Sequence, residues 1–546
     1  MKKEQRMSML LSIIFILFLG ACSSNSDSTT AEPEKVNGET NMKPQQGGDL
    51  IIGATAGPKT FNDKYATDAK SGTLIGFMFN GLVDINDKGE PIPDLAERWE
   101  SSDGGKKWTF KLREDVLWHD GEPFTAEDVE FTYNIPLNKG YNGPRGSYFS
   151  NFKEIKALND YTVEISLKEP STQFISRTTP YYILPKHILG DVPISDLGEA
   201  EFNTKNPIGT GPFKFKEWKK GQYVKFVANE DYYEGRPYLD SLTYKIVPDT
   251  NALLSQFQAG DINYMSVSAD DVPAAQTLVE RGEATLTSVL SASWNWIAYN
   301  ERNPLFQDKK VRQALTHGLN REEIIKFVLD GNGEPAHTAG IPFSWAYNED
   351  IPKFNYDPDK AKQLLLEAGW EDTNGDGILD KDGKDFKFTL MVSNGNKARQ
   401  QVVEIAQQQW KKIGIKITPK VLETSAFLEQ IGPPDFEYDA YVSALSVSLD
   451  PSVTTIFHTN EAENGLNRIK YSNPELDQLM EKSDHSTNRD ERKAMVEKIQ
   501  EMIAEDQPYT FLYHPIDNML YTPKLHGVKE HPGNSYFKIH KWWMEQ

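Results

Sequence analysis

Cysteine is nearly missing from this sequence, because Cys22 is the only one among 546 residues. A disulfide within the chain is therefore excluded, and a fold of this size has to be held together by packing alone. The residues that precede this single thiol suggest a reason for its position.

Long apolar runs are equally scarce, and the one at the start of the chain covers about 9–19. Three basic residues precede it: Lys2, Lys3 and Arg6. A basic start, a short apolar stretch and the small residues Gly20 and Ala21 are typical of a secretory signal peptide, which we predict over residues 1–21. The run is shorter than the roughly 20 apolar residues that a bilayer-spanning helix needs.

The last residues of this segment, Leu19-Gly20-Ala21-Cys22, resemble the lipobox of bacterial lipoproteins. In that class the signal is cut before the cysteine, whose thiol receives a diacylglycerol with palmitate-type chains. The resemblance implies that Cys22 is lipidated; a chance cysteine after an ordinary signal is the alternative. Residues 22–47 are polar and poor in large apolar side chains, so we expect a disordered tether between membrane and folded body.

Positive charge is in deficit, since 59 Lys and Arg stand against 80 Asp and Glu, a formal net charge of −21. Nucleic acids and anionic lipid surfaces are recognised through basic patches, so this balance argues against both as partners. Solubility is the plainer interpretation of the acidity.

Motifs for catalysis are missing as well, because the sequence has no Walker A, H-E-x-x-H or G-x-S-x-G pattern. The stretch GNGEPA at 331–336 fits G-x-G-x-x-A, but it follows a predicted helix and carries Pro335. We interpret it as a loop rather than a nucleotide site. We therefore predict a protein that is not an enzyme and has no cofactor, with any ATP hydrolysis left to partner subunits.

What the chain does contain is an alternation of strand and helix patterns. In the second half a strand pattern at 386–393, a helical pattern at 397–414 and a strand pattern at 415–422 follow one another. This order indicates an α/β lobe. The roughly 525 residues after the signal are too many for one core, so we expect two or three domains.

Several phrases of the sequence together resemble one family. They are LAERWESSDGGKKWTFKLREDVLWHDGEPFTAEDVEFTY (95–133), NPIGTGPFKFKEW (206–218), FQDKKVRQALTHGLNRE (306–322), YDPDKAKQLLLEAGW (356–370), YSNPELDQLM (471–480) and DQPYTFLYHP (506–515). They resemble the family 5 extracellular solute-binding proteins, the receptors of bacterial peptide ABC importers. Within that family the chain looks most like the App-type oligopeptide-binding lipoproteins of Gram-positive bacteria.

The resemblance implies an α/β fold of two lobes that close like a clamp, as in periplasmic binding proteins, with an extra α+β domain. The implied bounds are 48–70, 206–298 and 511–546 for lobe I, 71–205 for the extra domain II, and 299–510 for lobe III. The chain would cross between lobes near Tyr299-Asn300 and near Tyr509-Phe511. Those two crossings would form the hinge that closes around a ligand.

Receptors of this family hold a peptide backbone through strand-like hydrogen bonds, which read no side chain. The predicted strand at 291–300 carries Trp294 and Trp296 on one face and leads to Tyr299 and Asn300. The resemblance implies that these four residues, Trp296 first, line the ligand. The alternative is that both tryptophans belong to the core.

A second stretch, 438–457, matches the family's amino-end site. In dipeptide and short-peptide receptors it carries a Gly-Trp pair and then an Asp that binds the ligand's α-ammonium; the matching positions here are Ala444, Leu445 and Ser448. With Ser446 they are candidate binding residues, although the carboxylate is missing. We therefore expect that the protein does not fix the peptide's amino end strictly and that it accepts longer peptides. Asp450 is either a substitute anchor or a turn residue.

The stretch DTNGDGILDKDG at 372–383 resembles a calcium loop, with Asp372, Asn374 and Asp376 at alternate positions. Its twelfth position is Gly383 instead of a bidentate Glu. A polar turn is the favoured interpretation and a weak calcium site the alternative, so no firm metal ligand is predicted.

Together these features predict a lipid-anchored receptor at the extracytoplasmic face of the cell membrane. It would act as a monomer, capture oligopeptides between lobes I and III, and deliver them to ABC permease subunits and their ATPases. The alternatives are a receptor of the same fold for a nickel chelate, haem or an oligosaccharide and, more remotely, a surface peptidase or folding helper.

Overall fold

The computed structural model describes residues 43–546, except Arg145, Thr172 and Asn464. The predicted signal peptide, Cys22 and most of the predicted tether lie outside the described residues. Across the part of the chain that is described, no helix has both the length and the apolar character needed to cross a membrane.

Strands and helices alternate along most of the described chain. The strands are β1 Asp49–Ala54, β2 Val83–Ile85, β3 Pro91–Pro93, β4 Ala96–Ser102, β5 Lys107–Leu112, β6 Phe152–Asn159, β7 Thr162–Leu167, β8 Phe213–Lys219, β9 Tyr223–Ala228, β10 Ser241–Ile246, β11 Tyr264–Val267, β12 Thr285–Leu290, β13 Ser293–Tyr299, β14 Gly333–Pro335, β15 Asp380–Lys381, β16 Lys384–Asp385, β17 Lys387–Ser393, β18 Lys416–Leu422, β19 Ala440–Ser446, β20 Tyr509–Tyr521, β21 Leu525–His526 and β22 Trp543–Met544. The α-helices are α1 Ala69–Met78, α2 Ala126–Asn134, α3 Lys186–Leu189, α4 Thr250–Gln258, α5 Val272–Glu280, α6 Lys309–His317, α7 Arg321–Val328, α8 Pro358–Glu367, α9 Lys397–Lys411, α10 Thr424–Gln430, α11 Thr454–Phe457, α12 Pro474–His485 and α13 Arg489–Asp506. A π-helical turn spans Phe174–Thr178.

Local sequence explains many of these boundaries. Thr125 and Asp128 form a capping box at the start of α2, where the Thr125 N–H donates to the Asp128 carboxylate at 3.0 Å. Helix α8 has Pro358 in its first turn and is followed by Gly369 at φ +84°. The stretch 331–336, predicted as a loop, instead contains the short strand β14, which pairs with the edge of β20.

One long strand, β20, organises the main sheet, whose order is β18-β17-β19-β13-β20-β11-β1-β10-β9-β8. The first part of β20, from Tyr509 to Tyr513, pairs with β13. Its last part, from Ile516 to Tyr521, pairs with β12, and the residues from Asn518 onward also pair with β11. β17 and β18 are parallel and are joined by α9, which confirms the predicted strand–helix–strand unit.

A separate sheet, β4-β5-β7-β6, lies within the range predicted for extra domain II. Helix α2 packs against it, and alternate residues of β5, including Trp108 and Phe110, enter an apolar cluster with Val163 and Ile165. Burial of one face of an antiparallel sheet explains why these strands alternate in sequence.

Strands β12 and β13 pair with different parts of β20, and this difference shows where the chain changes from one half of the main sheet to the other. The change falls at Ser291–Ala292, between β12 and β13, and at His514–Pro515 within β20. Strand β13, predicted to end lobe I, pairs along its length with β19 inside the predicted lobe III. The domain bounds stay predictions, but this pairing leads us to place the hinge at these two points, some residues away from the predicted Tyr299–Asn300 and Tyr509–Phe511.

Candidate functional site

The candidate site is the edge of the main sheet that adjoins these two crossings. Strands β17 and β19 are parallel, so their carboxyl ends meet there, and the antiparallel β13 begins there. Ligands of open α/β sheets bind outside the carboxyl ends of strands. The register places Trp294 opposite Leu445 and Ser293 opposite Ser446, which brings several predicted residues together.

Trp294 and Trp296 are both buried in an aromatic cluster. Their ring centroids are 4.6 Å apart, and Trp296 stacks on Tyr509 at 5.4 Å. Trp294 also contacts Phe511 edge-on at 5.3 Å. Trp296 is only 6% exposed and Trp294 is completely buried. The geometry therefore gives both rings core contacts, the alternative that the sequence left open, and their role in ligand binding stays a prediction.

Tyr299 and Asn300 lie at the far end of β13, away from the crossing. The Tyr299 hydroxyl is 2.6 Å from the Thr510 hydroxyl, and its ring stacks on Phe306. Burial raises the pKa of Tyr299 above its ordinary value. The Asn300 amide donates to the Tyr438 carbonyl at 2.8 Å. Both side chains make contacts within the protein, and their role in ligand binding stays a prediction.

The segment that follows β19 carries the predicted amino-end residues Ser448 and Asp450. The Ser448 hydroxyl accepts a hydrogen bond from the Asp450 N–H at 3.2 Å. A cavity of about 20 Å³ borders the segment, which is room for about one water molecule. This space is too small for an amino-acid residue.

All four acceptor positions of the Asp450 carboxylate are occupied. Arg492 donates two hydrogen bonds, at 2.7 and 2.9 Å. The Ser176 hydroxyl donates at 2.9 Å and the Ser452 N–H at 3.1 Å. Because an ionised carboxylate offers about four lone-pair sites, none is left for a ligand ammonium. The structure therefore gives Asp450 structural contacts and the turn role that the sequence offered as the alternative.

The electrostatics of this pair agree with its geometry. Burial disfavours the charged form of Asp450, but the adjoining Arg492 guanidinium outweighs burial and holds the pKa of the carboxyl below its ordinary value. The side chains of Asp450 and Arg492 are 5% and 7% exposed. A buried carboxylate is tolerated here because it is both paired and fully hydrogen-bonded.

Arg399 is a candidate that the sequence reasoning missed. It lies in the first turn of α9, directly after the carboxyl end of β17, and its Nε donates to the Asn295 amide oxygen at 3.1 Å. Asn295 faces Ala444 in the register. Burial lowers the pKa of the Arg399 guanidinium. The signal in the sequence was an arginine just after a predicted strand, at the edge where α/β sheets bind ligands.

In the loop at 372–383, carboxylate oxygens accept hydrogen bonds from the backbone N–H groups of the loop itself. The Asp372 carboxylate accepts from the N–H groups of Gly375, Asp376 and Gly377 at 2.8 to 3.1 Å. The Asp376 carboxylate accepts from the Ile378 N–H at 2.8 Å. Among the described residues no group of three His, Cys, Asp or Glu side chains is arranged to hold a metal ion. These contacts are those of the polar turn that the sequence favoured.

A mixed α/β sheet divided into two halves, with a candidate site where the chain crosses between them, defines a two-lobed binding protein. The chain belongs to the bacterial extracellular solute-binding proteins of family 5, whose middle-region model matches residues 90–467. The predicted family and α/β fold class are thereby confirmed. Members of this family are extracellular receptors that bind solutes.

The chain is similar to three relatives, one of them compared in both sequence and structure. It is 46% identical to the oligopeptide-binding protein AppA of Bacillus subtilis over 549 aligned residues, covering 100% of both chains. The structure of that AppA with a nonapeptide matches at a TM-score of 0.78 and 47% identity, covering 92% of this chain and 100% of AppA. NikZ of Campylobacter jejuni, with Ni(L-His), matches at a TM-score of 0.76 and 29% identity, covering 91% and 99%. DppA of Helicobacter pylori, with the peptide STSA, matches at 0.74 and 26%, covering 92% and 99%.

Proposed function

We propose that this protein is the substrate-binding lipoprotein of an ABC importer for oligopeptides. It captures a peptide between its two lobes as a monomer and presents it to permease subunits, whose ATPases drive transport. The observation that carries the proposal is the full-length 46% identity to an oligopeptide-binding protein. The nonapeptide in the AppA structure supports the same substrate class.

The chemistry of the candidate site favours peptides whose amino end is not held by an ion pair. The position that holds a carboxylate in short-peptide receptors is Ser448 here, and the nearby Asp450 is committed to Arg492 and Ser176. With neither side chain free to pair with an ammonium, the amino end is not fixed by an ion pair. Recognition then rests on main-chain hydrogen bonds, which accept many sequences.

Anchoring at the cell membrane is part of the proposal. The lipobox-like residues before Cys22 supply the attachment point, and the polar residues up to position 47 supply the tether. An acylated cysteine holds the receptor at the extracytoplasmic face, where the peptide arrives, since two acyl chains give stable anchoring.

A peptide-binding experiment tests the proposal and separates it from its rivals. Residues 23–546 are purified without denaturant, then unfolded, and the released small molecules are identified by mass spectrometry. A mixture of peptides longer than about five residues is expected, because recognition through the main chain accepts many sequences and does not depend on the amino end. A single metal chelate or haem would keep the fold and overturn the substrate class.

A matched pair of synthetic ligands then tests the amino end. A nonapeptide taken from the released mixture and its N-acetylated form are compared by calorimetry. Acetylation removes the ammonium charge and little else, so affinities within about threefold of each other are expected, a difference of less than about 0.7 kcal/mol. A loss of a hundredfold or more on acetylation would show that another carboxylate anchors the amino end.

A further inference from the structure

The contact around Asp450 joins two parts of the chain that are far apart in sequence. Ser176 lies on the π-helical turn Phe174–Thr178, within the range predicted for extra domain II. Asp450 follows β19, and Arg492 lies in the first turn of α13, both within predicted lobe III. All three residues are buried, with 9%, 8% and 6% of their surfaces exposed, respectively. The hydroxyl of one domain thus completes a buried ion pair of another.

Two further polar contacts accompany it. The Gln173 amide donates to the Ser452 hydroxyl at 2.8 Å, one turn from Ser176. Arg489, also in α13, donates to the Glu90 carboxylate. The backbone approaches closely as well, since a Cβ added to Gly89 would lie 2.6 Å from the Leu449 carbonyl oxygen. The segment 449–452 is therefore held against extra domain II over several residues.

These contacts depend on the position of lobe III. The chain enters that lobe at Ser291–Ala292 and leaves it at His514–Pro515, so these two crossings are its covalent links to the rest of the protein. A rotation about the crossings separates lobe III from extra domain II and breaks the contacts above. A groove of about 300 Å³ lies at this interface and is lined from both sides by residues that include Trp108, Ser176 and Arg492.

The same segment adjoins the candidate ligand site. The Asp450 N–H donates to the Ser448 hydroxyl, and Ser448 stands at the position that matches the family's amino-end residue. The backbone of 446–450 continues directly from β19, whose carboxyl end forms the site. The contacts that Ser176 and Arg492 make with Asp450 therefore also position the segment along which a peptide backbone would lie.

We propose that Ser176 and Asp450 are positioning residues that hold lobe III closed over the bound peptide and so slow its release. The hydrogen bond between them forms when the cleft closes and orients the 446–450 segment through Asp450. The inference rests on the proposed function, because it concerns retention of that peptide. Extra domain II, which lies outside the two lobes of the clamp, thereby gains a role in the binding cycle.

The test is the rate of peptide release from the Ser176→Ala variant. Full-length protein solubilised in mild detergent is loaded with a fluorescent nonapeptide, and dissociation is followed after an excess of unlabelled peptide is added. Loss of a hydrogen bond to a charged group should speed release about tenfold. Association should change by less than about threefold, because encounter precedes closure. Adding Gln173→Ala to Ser176→Ala should speed peptide release further.

Control variants distinguish a positioning role of Ser176 from a general loss of stability. Ser166→Ala removes a hydroxyl from β7, a strand of the same domain that pairs with β5 and β6, and should leave release unchanged. The melting temperature of the ligand-free Ser176→Ala protein should equal that of the unchanged protein. Equal release rates in Ser176→Ala, Gln173→Ala and the unchanged protein would overturn the inference alone. Failure of the unchanged protein to bind any peptide would overturn the proposed function instead.

Discussion

Removing Arg492 provides the sharpest test of the buried ion pair. In Arg492→Met the Asp450 carboxylate keeps its bonds to Ser176 and Ser452 but loses both charge-assisted ones. An ionised carboxylate left without its cation in the interior destabilises a fold by about 3–5 kcal/mol. We expect a loss of this size in urea unfolding of the peptide-saturated protein at pH 7, followed by tryptophan fluorescence.

The double variant Asp450→Asn/Arg492→Met serves as the matched control. With both charges gone, no uncompensated ion remains, and the double variant should recover at least half of the stability that Arg492→Met loses. If the double variant is as unstable as the single one, or less stable, packing and not charge is what Arg492 contributes, and the electrostatic reasoning is wrong.

The pH dependence of the stability of Arg492→Met provides a second test of the same ion pair. With Arg492 present, the pKa of Asp450 is held low, so the pair contributes stability that is present above the unfolded pKa and lost as pH falls. Without Arg492, burial raises the pKa of Asp450, so stability is lost as pH rises through the new value. The Arg492→Met protein should therefore gain stability relative to the unchanged protein between pH 7 and pH 5. An identical deficit at both pH values would contradict this.

Three other perturbations follow from the geometry. Cys22→Ser should move the protein from the membrane fraction to the soluble fraction without changing peptide affinity, as fractionation and calorimetry will show; continued membrane retention would mean that the anchor is elsewhere. The Arg399 guanidinium lies at the sheet edge beside Asn295, so we expect it to pair with the carboxylate of a bound peptide. Arg399→Gln should therefore weaken peptides with a free carboxyl end by about tenfold, the size of a charge-assisted hydrogen bond, but leave carboxyl-amidated peptides unaffected. Equal losses for both ligands would show that Arg399 does not bind the peptide's carboxylate. Burial raises the pKa of Asp94 to about 7, so the unchanged protein should lose stability as pH rises through 7, and urea unfolding at pH 6 and pH 8 should show a smaller loss in Asp94→Asn.

Local features were predictable from the sequence because they depend on neighbours in the chain. The capping box of α2, the hairpin of β8 and β9, and the alternation in β5 each involve residues a few positions apart. Helix starts such as that of α8 are fixed by one proline and one capping side chain.

The roles of particular side chains in the site were less predictable, because they depend on partners distant in the sequence. Asp450 is held by Ser176, 274 positions away, and by Arg492, 42 positions away. Alternation along β13 correctly placed Trp294 and Trp296 on one face, but it did not show that helices cover both faces of that strand. Arg399 was harder to predict because its position just after a predicted strand is a weak signal, and its partner Asn295 lies 104 positions away in the sequence.

The long strand β20 has a consequence for how the protein is made. It provides the central pairing partner for both halves of the main sheet, yet it comes from Tyr509–Tyr521, close to the carboxyl terminus. Neither half can complete its sheet until nearly all of the chain has been synthesised. A nascent chain that remains incompletely folded suits a protein whose family works outside the cytoplasm, since secretion threads the polypeptide through a narrow channel before it folds. Once β20 is available, both halves of the main sheet can complete their pairing in the same step.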